Sequence, residues 1–251
     1  MTSAREQLKQ VPGFVPLVRR ARSKRIALER SVEDARFLAG RLGRHKRIRA
    51  YLVEHPVRRL QLGAGSNLYE GWLNSDVVDY KRKNEVVYLD ARKRFPLPDN
   101  AFDSVFSEHM IEHLTYDDGL HCLSECHRVL LAGGRIRIAT PSLRRLVRLY
   151  DGEQTDLQRR YVRWATDVFI PDAGAYLPGF VVNNFFRSWS HEFIYDEDTL
   201  RHALETVGFE NVREWPVGES DDPALVGLER HMLSAADFNE YETMVLEGRK
   251  P

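Results

Sequence analysis

The chain has 251 residues, 43% of them hydrophobic, enough for one sizeable α/β core. No apolar run approaches the roughly 20 residues that span a bilayer. Met1–Gln10 lacks the apolar stretch of a secretory signal, and two cysteines make no disulfide framework, so a cytoplasmic protein is expected. Formal net charge is zero, but residues 1–60 carry 16 Lys/Arg against 5 Asp/Glu, a balance of +11, and residues 61–251 carry −11. This asymmetry implies two structural units: a basic helical N-terminal extension over 1–56 and a main domain over 57–251.

Residues 1–16, with Pro12, Gly13 and Pro16, read as an irregular lead-in. From Leu17 to Val53 the pattern is helical, with Leu28, Val32, Ala35, Leu38 and Leu42 on one stripe. Gly40 and Gly43 should break the run into two helices, and Pro56 should close it. The Arg/Lys-rich remainder suits a solvated face, with peripheral contact to an anionic membrane surface as a second reading. Only Phe37 and Tyr51 could stack on bases there, which counts against nucleic acid.

The main domain alternates strands with helices. Arg59–Leu62 is a short strand entering a glycine turn; Leu73–Val78, Glu85–Leu89 and Phe102–Ser107 are the next three strands. Asp117–Leu131 reads as a helix stopped by Gly133-Gly134, and Arg135–Thr140 as a fifth strand. Cys122 and Cys126, flanked by His121 and His127, read as the buried face of that helix rather than as a metal site. Ser142–Tyr150 and Asp156–Phe169 look helical. Pro171–Ser190 reads as a loop whose Tyr176, Phe180, Phe185, Phe186 and Trp189 would cover a pocket. A helix over Asp196–Val207 and strands at Asn211–Trp215 and Thr243–Glu247 complete the chain. This rhythm implies a parallel sheet with a ligand crevice at the carboxyl ends of its strands.

Four motifs sit at those ends. Leu62-Gly63-Ala64-Gly65-Ser66 comes directly after the first strand, and its glycines let backbone approach a ligand. Leu68 stands where a dinucleotide fingerprint wants a third glycine, which lowers an NAD-linked reading. Asp76 lies only 13 residues beyond Gly63, so the first crossover is short; its carboxylate could accept from both ribose hydroxyls. Asp90, in Tyr88-Leu89-Asp90-Ala91, could accept from an exocyclic amine. The fourth strand delivers Glu108 and His109 to the crevice mouth, with His113 at the start of the next helix.

Taken together, LGAG, GWLNSD, LDARKRFPLPDNAFDSVFSEHMIEHL and ECHRVLLAGGRIRIATP resemble class I methyltransferases of the methyltransferase-domain type. More narrowly, they resemble a bacterial subgroup with Gly-Trp-hydrophobic-Asn-x-Asp soon after the first motif. The likeness covers about residues 58–150. It implies a doubly wound, Rossmann-like, mostly parallel sheet of about seven strands and S-adenosyl-L-methionine as cofactor. Gly63 and Gly65 would adjoin its methionine part, Asp76 its ribose and Asp90 its adenine. Ala64, Val77, Ala91 and Glu108 complete the expected cradle. Because the motifs begin at Leu62, a chain cut near Glu54 should still bind cofactor.

Methyl transfer is an in-line displacement at an activated sulfonium, so the protein mainly aligns the nucleophile, and a base helps a hydroxyl. His191 is the first choice for that base and His109 the second, with Glu108 also considered. The Asn-Pro-Pro-Tyr run of amino methyltransferases does not occur, which favours an oxygen acceptor on a small molecule or sugar. No acidic cluster signals a metal, and none is expected. The competing readings are an RNA methyltransferase using the basic arm and a non-catalytic partner subunit.

Overall fold

The computed structural model describes residues 40–78, 85–231 and 236–251. Two compact units divide at His45/Lys46. Of the first, residues 40–45 are described and are helical; Gly43 lies within that helix and does not break it. Leu28, Val32, Ala35 and Leu38 of the expected stripe lie outside the described residues, and Leu42 is exposed.

The second unit opens on helical residues 46–54 (α1), ahead of the expected boundary at 57. Ile48 and Tyr51 of α1 are part of the main core. The Tyr51 hydroxyl accepts from Arg59 N (2.8 Å) and lies 3.0 Å from the Gly71 carbonyl. A chain cut at Glu54 would lose this packing, so the dispensable segment is shorter than the motifs suggest.

Beyond α1 the described residues form seven strands: β1 (Arg59–Leu62), β2 (Trp72–Asp76), β3 (Val87–Tyr88), β4 (Phe102–Glu108), β5 (Leu130–Pro141), β6 (Glu210–Trp215) and β7 (Thr243–Arg249). Their order is β3-β2-β1-β4-β5-β7-β6. The first five are parallel, and β7 runs antiparallel between β5 and β6. Leu60, Val105, Ile136 and Leu246 fill the centre at 0% exposure, as a sheet covered on both faces requires.

Helices α2 (Tyr116–Val129), α3 (Leu143–Val147), α4 (Asp156–Phe169), α5 (Pro178–Arg187), α6 (Glu197–Thr206) and α7 (Ala236–Glu242) connect the strands. Thr115 caps α2 through Asp118 N, and Asp196 caps α6 through Thr199 N. His113 precedes α2 and belongs to the short 3-10 turn Ile111–His113. Helix α2 ends at Val129, not at Gly133: Leu130 turns extended, and Gly133-Gly134 lie inside a longer β5. A Cβ at Gly134 would press on the carbonyls of Leu131 and Asp103 (2.9 and 3.0 Å), so the residue serves strand packing.

The expected aromatic loop holds helix α5, with Pro178 in its first turn, where a proline costs no hydrogen bond. Val181 and Phe185 pack into a second core with Tyr161, Val162 and Ala165 of α4. Among the described residues, no helix is long and apolar enough to cross a membrane.

Candidate functional site

One cleft of about 960 Å³ opens at the carboxyl ends of β1, β2 and β4, at the upper end of the usual range for ligand pockets. All ten expected site residues line it: Gly63, Ala64, Gly65, Asp76, Val77, Asp90, Ala91, Glu108, His109 and His191.

The glycine turn is built for close approach. Gly63 and Gly65 both have left-handed backbone (φ +63° and +53°). A Cβ at Gly63 would collide with the Met110 side chain, whereas one at Gly65 would meet nothing within 4 Å. Gly65 N donates to Asp76 Oδ2 at 2.8 Å, and Val78 N to Oδ1 at 3.0 Å. Asp76 therefore anchors the turn as well as facing the cleft. Burial raises its pKa against the pull of these amides.

Asp90 answers differently. Burial would raise its carboxyl too, but Arg92 grips both oxygens (3.0 and 3.1 Å) and holds it below the usual aspartate range. A Gly turn, two acids at successive strand ends and an ionised wall fit a cationic sulfonium nucleoside.

Glu108 lines the cleft, yet its Oε1 accepts from His231 N at 2.7 Å and so fastens the loop before residue 231. That loop, which no sequence motif announces, adds His231 to the wall, its ring stacked on His109 at 4.0 Å. Burial and His109 together push His231 down to about 4.

The other wall gathers His109, Glu112, His113 and His191. His109 has φ +47°, and Trp189 and Ser190, just before His191, have +55° and +62°. Such conformations cost non-glycine residues about 1–3 kcal/mol each and collect at functional sites. Glu192 N and Phe193 N both donate to the Glu112 carbonyl (2.8 and 3.2 Å), which fixes the His191 segment to the turn Ile111–His113.

His191 Nδ1 donates to the Phe185 carbonyl at 2.7 Å, leaving Nε2 its lone pair. Burial lowers its pKa, so the ring is neutral near pH 7. Burial would do the same to His109, but Glu112, with Oε1 3.4 Å from Nδ1, raises it. Nε2 of His109 meets the Thr243 hydroxyl at 3.1 Å, so both its ring nitrogens are engaged. Of the two candidate bases, His191 keeps the free nitrogen.

Cys122 and Cys126 are buried free thiols in the core. Sequence reasoning missed Glu112, Met110, Arg92 and His231 as cleft residues. Glu112 could have been suspected, since a glutamate between Ile111 and His113 in an apolar turn has no solvent to face.

A parallel α/β sheet carrying this turn and these acids defines a class I, S-adenosylmethionine-dependent methyltransferase. Residues 60–138 match the family model of the methyltransferase domain, and the chain is accordingly an enzyme of that class with S-adenosylmethionine as its cofactor. No curated protein matches the chain in sequence. Among solved structures, a SAM-dependent methyltransferase from Archaeoglobus fulgidus is similar at 19% identity, over 85% of this chain and 93% of that one, with a TM-score of 0.46. A SAM-dependent methyltransferase from Thermotoga maritima is similar at 18% identity, over 89% and 97%, with a TM-score of 0.44.

The cradle sets two expected results. S-adenosylhomocysteine at about 100 times its dissociation constant should stabilise the fold by roughly 2.7 kcal/mol; a melt unmoved by millimolar ligand would exclude the cradle. Asp76→Ala should weaken that binding by about 1.5–3 kcal/mol for each charge-assisted bond lost, and more if the Gly65 turn loosens with it. Calorimetry on both proteins decides, and equal affinities would remove Asp76 from the ribose role.

Proposed function

We propose that this enzyme transfers the methyl group to a hydroxyl oxygen of a compact polar acceptor, a small molecule or a sugar unit of a glycan. His191 is the residue that activates that oxygen. The observation carrying this reading is the fixed tautomer of His191. A neutral ring whose Nδ1 proton is tied to the Phe185 carbonyl offers Nε2 to the cleft. A hydroxyl needs such help because its own proton must leave as its oxygen attacks. Phe169, Phe185 and Trp189 line the same wall and would limit water around the reacting atoms.

The test is product chemistry. The enzyme, isotope-labelled S-adenosylmethionine and panels of sugar, phenol, amine and carbon acceptors are incubated together, and the transferred methyl is assigned by NMR. A methyl ether is the expected product. Methylamine products alone would overturn the reading.

A further inference from the structure

We propose that His231 and Glu242 seat a second hydroxyl of the acceptor, so that the enzyme takes a polyol, such as a sugar ring, in preference to a molecule with a single hydroxyl. This deepens the hydroxyl-acceptor reading above and rests on it for which group is methylated.

The seat lies on the side of the cleft away from the two acids. In the strand order β3-β2-β1-β4-β5-β7-β6, Asp76 ends β2, whereas His109 follows β4 and Glu242 immediately precedes β7. β2 and β7 are four strand spacings apart, roughly 19 Å at about 4.8 Å each. A nucleoside held at Asp76 and Asp90 therefore leaves this side to the acceptor, and His231 and Glu242 both line the cleft there.

Neither side chain is used up by the protein. His231 is held by its backbone N–H, which donates to Glu108, and by its stack on His109. Its ring nitrogens make no hydrogen bond among the described residues. Glu242 is buried, and its Oε2 accepts from the Tyr161 hydroxyl at 2.5 Å, while Oε1 has no such partner there. One ring nitrogen each of His109 and His231 and one carboxylate oxygen of Glu242 lie within 4.8 Å of one another. Among the described residues no hydrogen bond or ion pair joins His231 to Glu242 directly. The gap suits one oxygen, which reaches both through bonds of about 2.7–2.9 Å.

The chemistry of the seat selects a neutral group. Burial and His109 keep the His231 ring neutral, so it offers one N–H and one lone pair. Burial works against a charge on His109, yet Glu112 lifts its pKa above the usual value, and a cation at the seat would face that ring. An anion would face Glu242, whose pKa burial raises against the pull of His109 and Tyr161. A hydroxyl both donates and accepts, and so satisfies the imidazole and the carboxyl group together.

His109 links this seat to the base. Its Nδ1 faces Glu112, whose carbonyl holds the His191 segment, and its ring stacks on His231. With His191 Nε2 at the reacting oxygen, a second hydroxyl fixed at His231 gives the acceptor two points of attachment. Two points orient the attacking oxygen on the methyl group, where one would let it turn.

The experiment uses the full chain with methyl hexosides and amino sugars, each beside its monodeoxy analogues, and with cyclohexanol as the single-hydroxyl control. Removing one hydroxyl other than the methylated one should lower kcat/KM by about 10–100-fold, the worth of a hydrogen bond to a charged or buried partner. In His231→Ala the parent sugar's KM rises and the parent-to-deoxy ratio falls toward one; His231→Gln, which keeps a donor and an acceptor, regains part of it. A merely structural loss would slow parent and deoxy sugar alike and leave the ratio intact. The alanine variant keeps the backbone bond to Glu108, and His231 is only partly buried, so it folds even if Glu242→Gln does not. Calorimetry of the same probes on the S-adenosylhomocysteine complex reads the ratio without turnover. An unchanged ratio in His231→Ala, or a complex that binds none of the polyols, overturns the seat. Methyl ether formation on cyclohexanol within threefold of the best sugar overturns it too and leaves the hydroxyl reading standing. Methylamine products alone, with a ratio that still depends on His231, keep the seat and overturn the hydroxyl reading.

Discussion

Replacing His191 by alanine lowers methyl-transfer turnover by about 10²–10⁴-fold, the range for loss of a group that assists proton removal, and leaves the affinity for S-adenosylhomocysteine unchanged. The separation is the informative part. His191 reaches the cleft from the segment after α5, whereas the glycine turn and the two acids follow β1, β2 and β3. The ring packs beside Phe185 and Trp189 (6.1 and 5.5 Å between centroids) rather than inside either large core. Its loss should therefore spare the fold, which a thermal melt verifies. Steady-state kinetics on a hydroxyl acceptor, beside calorimetry with S-adenosylhomocysteine, make the measurement. Turnover within threefold of the parent, a factor worth only about 0.6 kcal/mol in the barrier, would remove His191 from the chemistry.

The glycine turn and the two cleft acids were readable because they obey local rules. Gly63 and Gly65 stand where a strand must turn back at positive φ, Asp76 ends β2, and Asp90 lies two residues beyond β3. The wall around His191 was readable only in pieces. His191 and Glu112 meet through two backbone hydrogen bonds onto the Glu112 carbonyl, a tertiary fact with no sequence signature. Helix α5 was hidden by Pro178, which looks like a breaker yet fits a first helical turn. The early end of α2 was hidden for the opposite reason. Gly133-Gly134 looks like a stop, but Leu130 is claimed sooner by pairing with Phe102 of β4. Tyr51 shows how charge can mislead: the basic run extends to Arg59, while the core begins inside it.

Arg137→Leu should cost about 3–5 kcal/mol of stability, the penalty for stranding the partners of a buried ion pair. Arg137 lies in the middle of β5 with no exposed side-chain surface. Its Nε and Nη2 bind Glu229 at 2.6 and 2.9 Å, and Nη1 binds Glu247 and the Glu219 carbonyl. Leucine would leave Glu229 buried without a counter-charge and Glu247 with only Arg135, at 3.6 Å. The damage should reach the cleft, because Glu229 also accepts from Gly218 N and the same segment ends at His231, tied to Glu108. Urea unfolding of the single variant, and of one also carrying Glu229→Gln and Glu247→Gln, provides the check. The triple change should recover much of the loss, since neutral amides do not need the guanidinium. A deficit below about 1 kcal/mol for Arg137→Leu alone would show that the cluster relaxes or hydrates freely.

The antiparallel placement of β7 has a consequence for how the enzyme is made. On the ribosome, β6 emerges before β7, yet β6 joins the sheet only through it. Until then β6 is an unpaired ribbon, and its Glu210, Arg213 and Glu214 are charges that discourage pairing with other nascent chains. The closing event threads Thr243–Arg249 between two strands already synthesised, and the same stretch sets Thr243 against His109. A growing chain can thus fold the half that holds the glycine turn and both acids early, while the wall beside His109 waits for β7 to arrive.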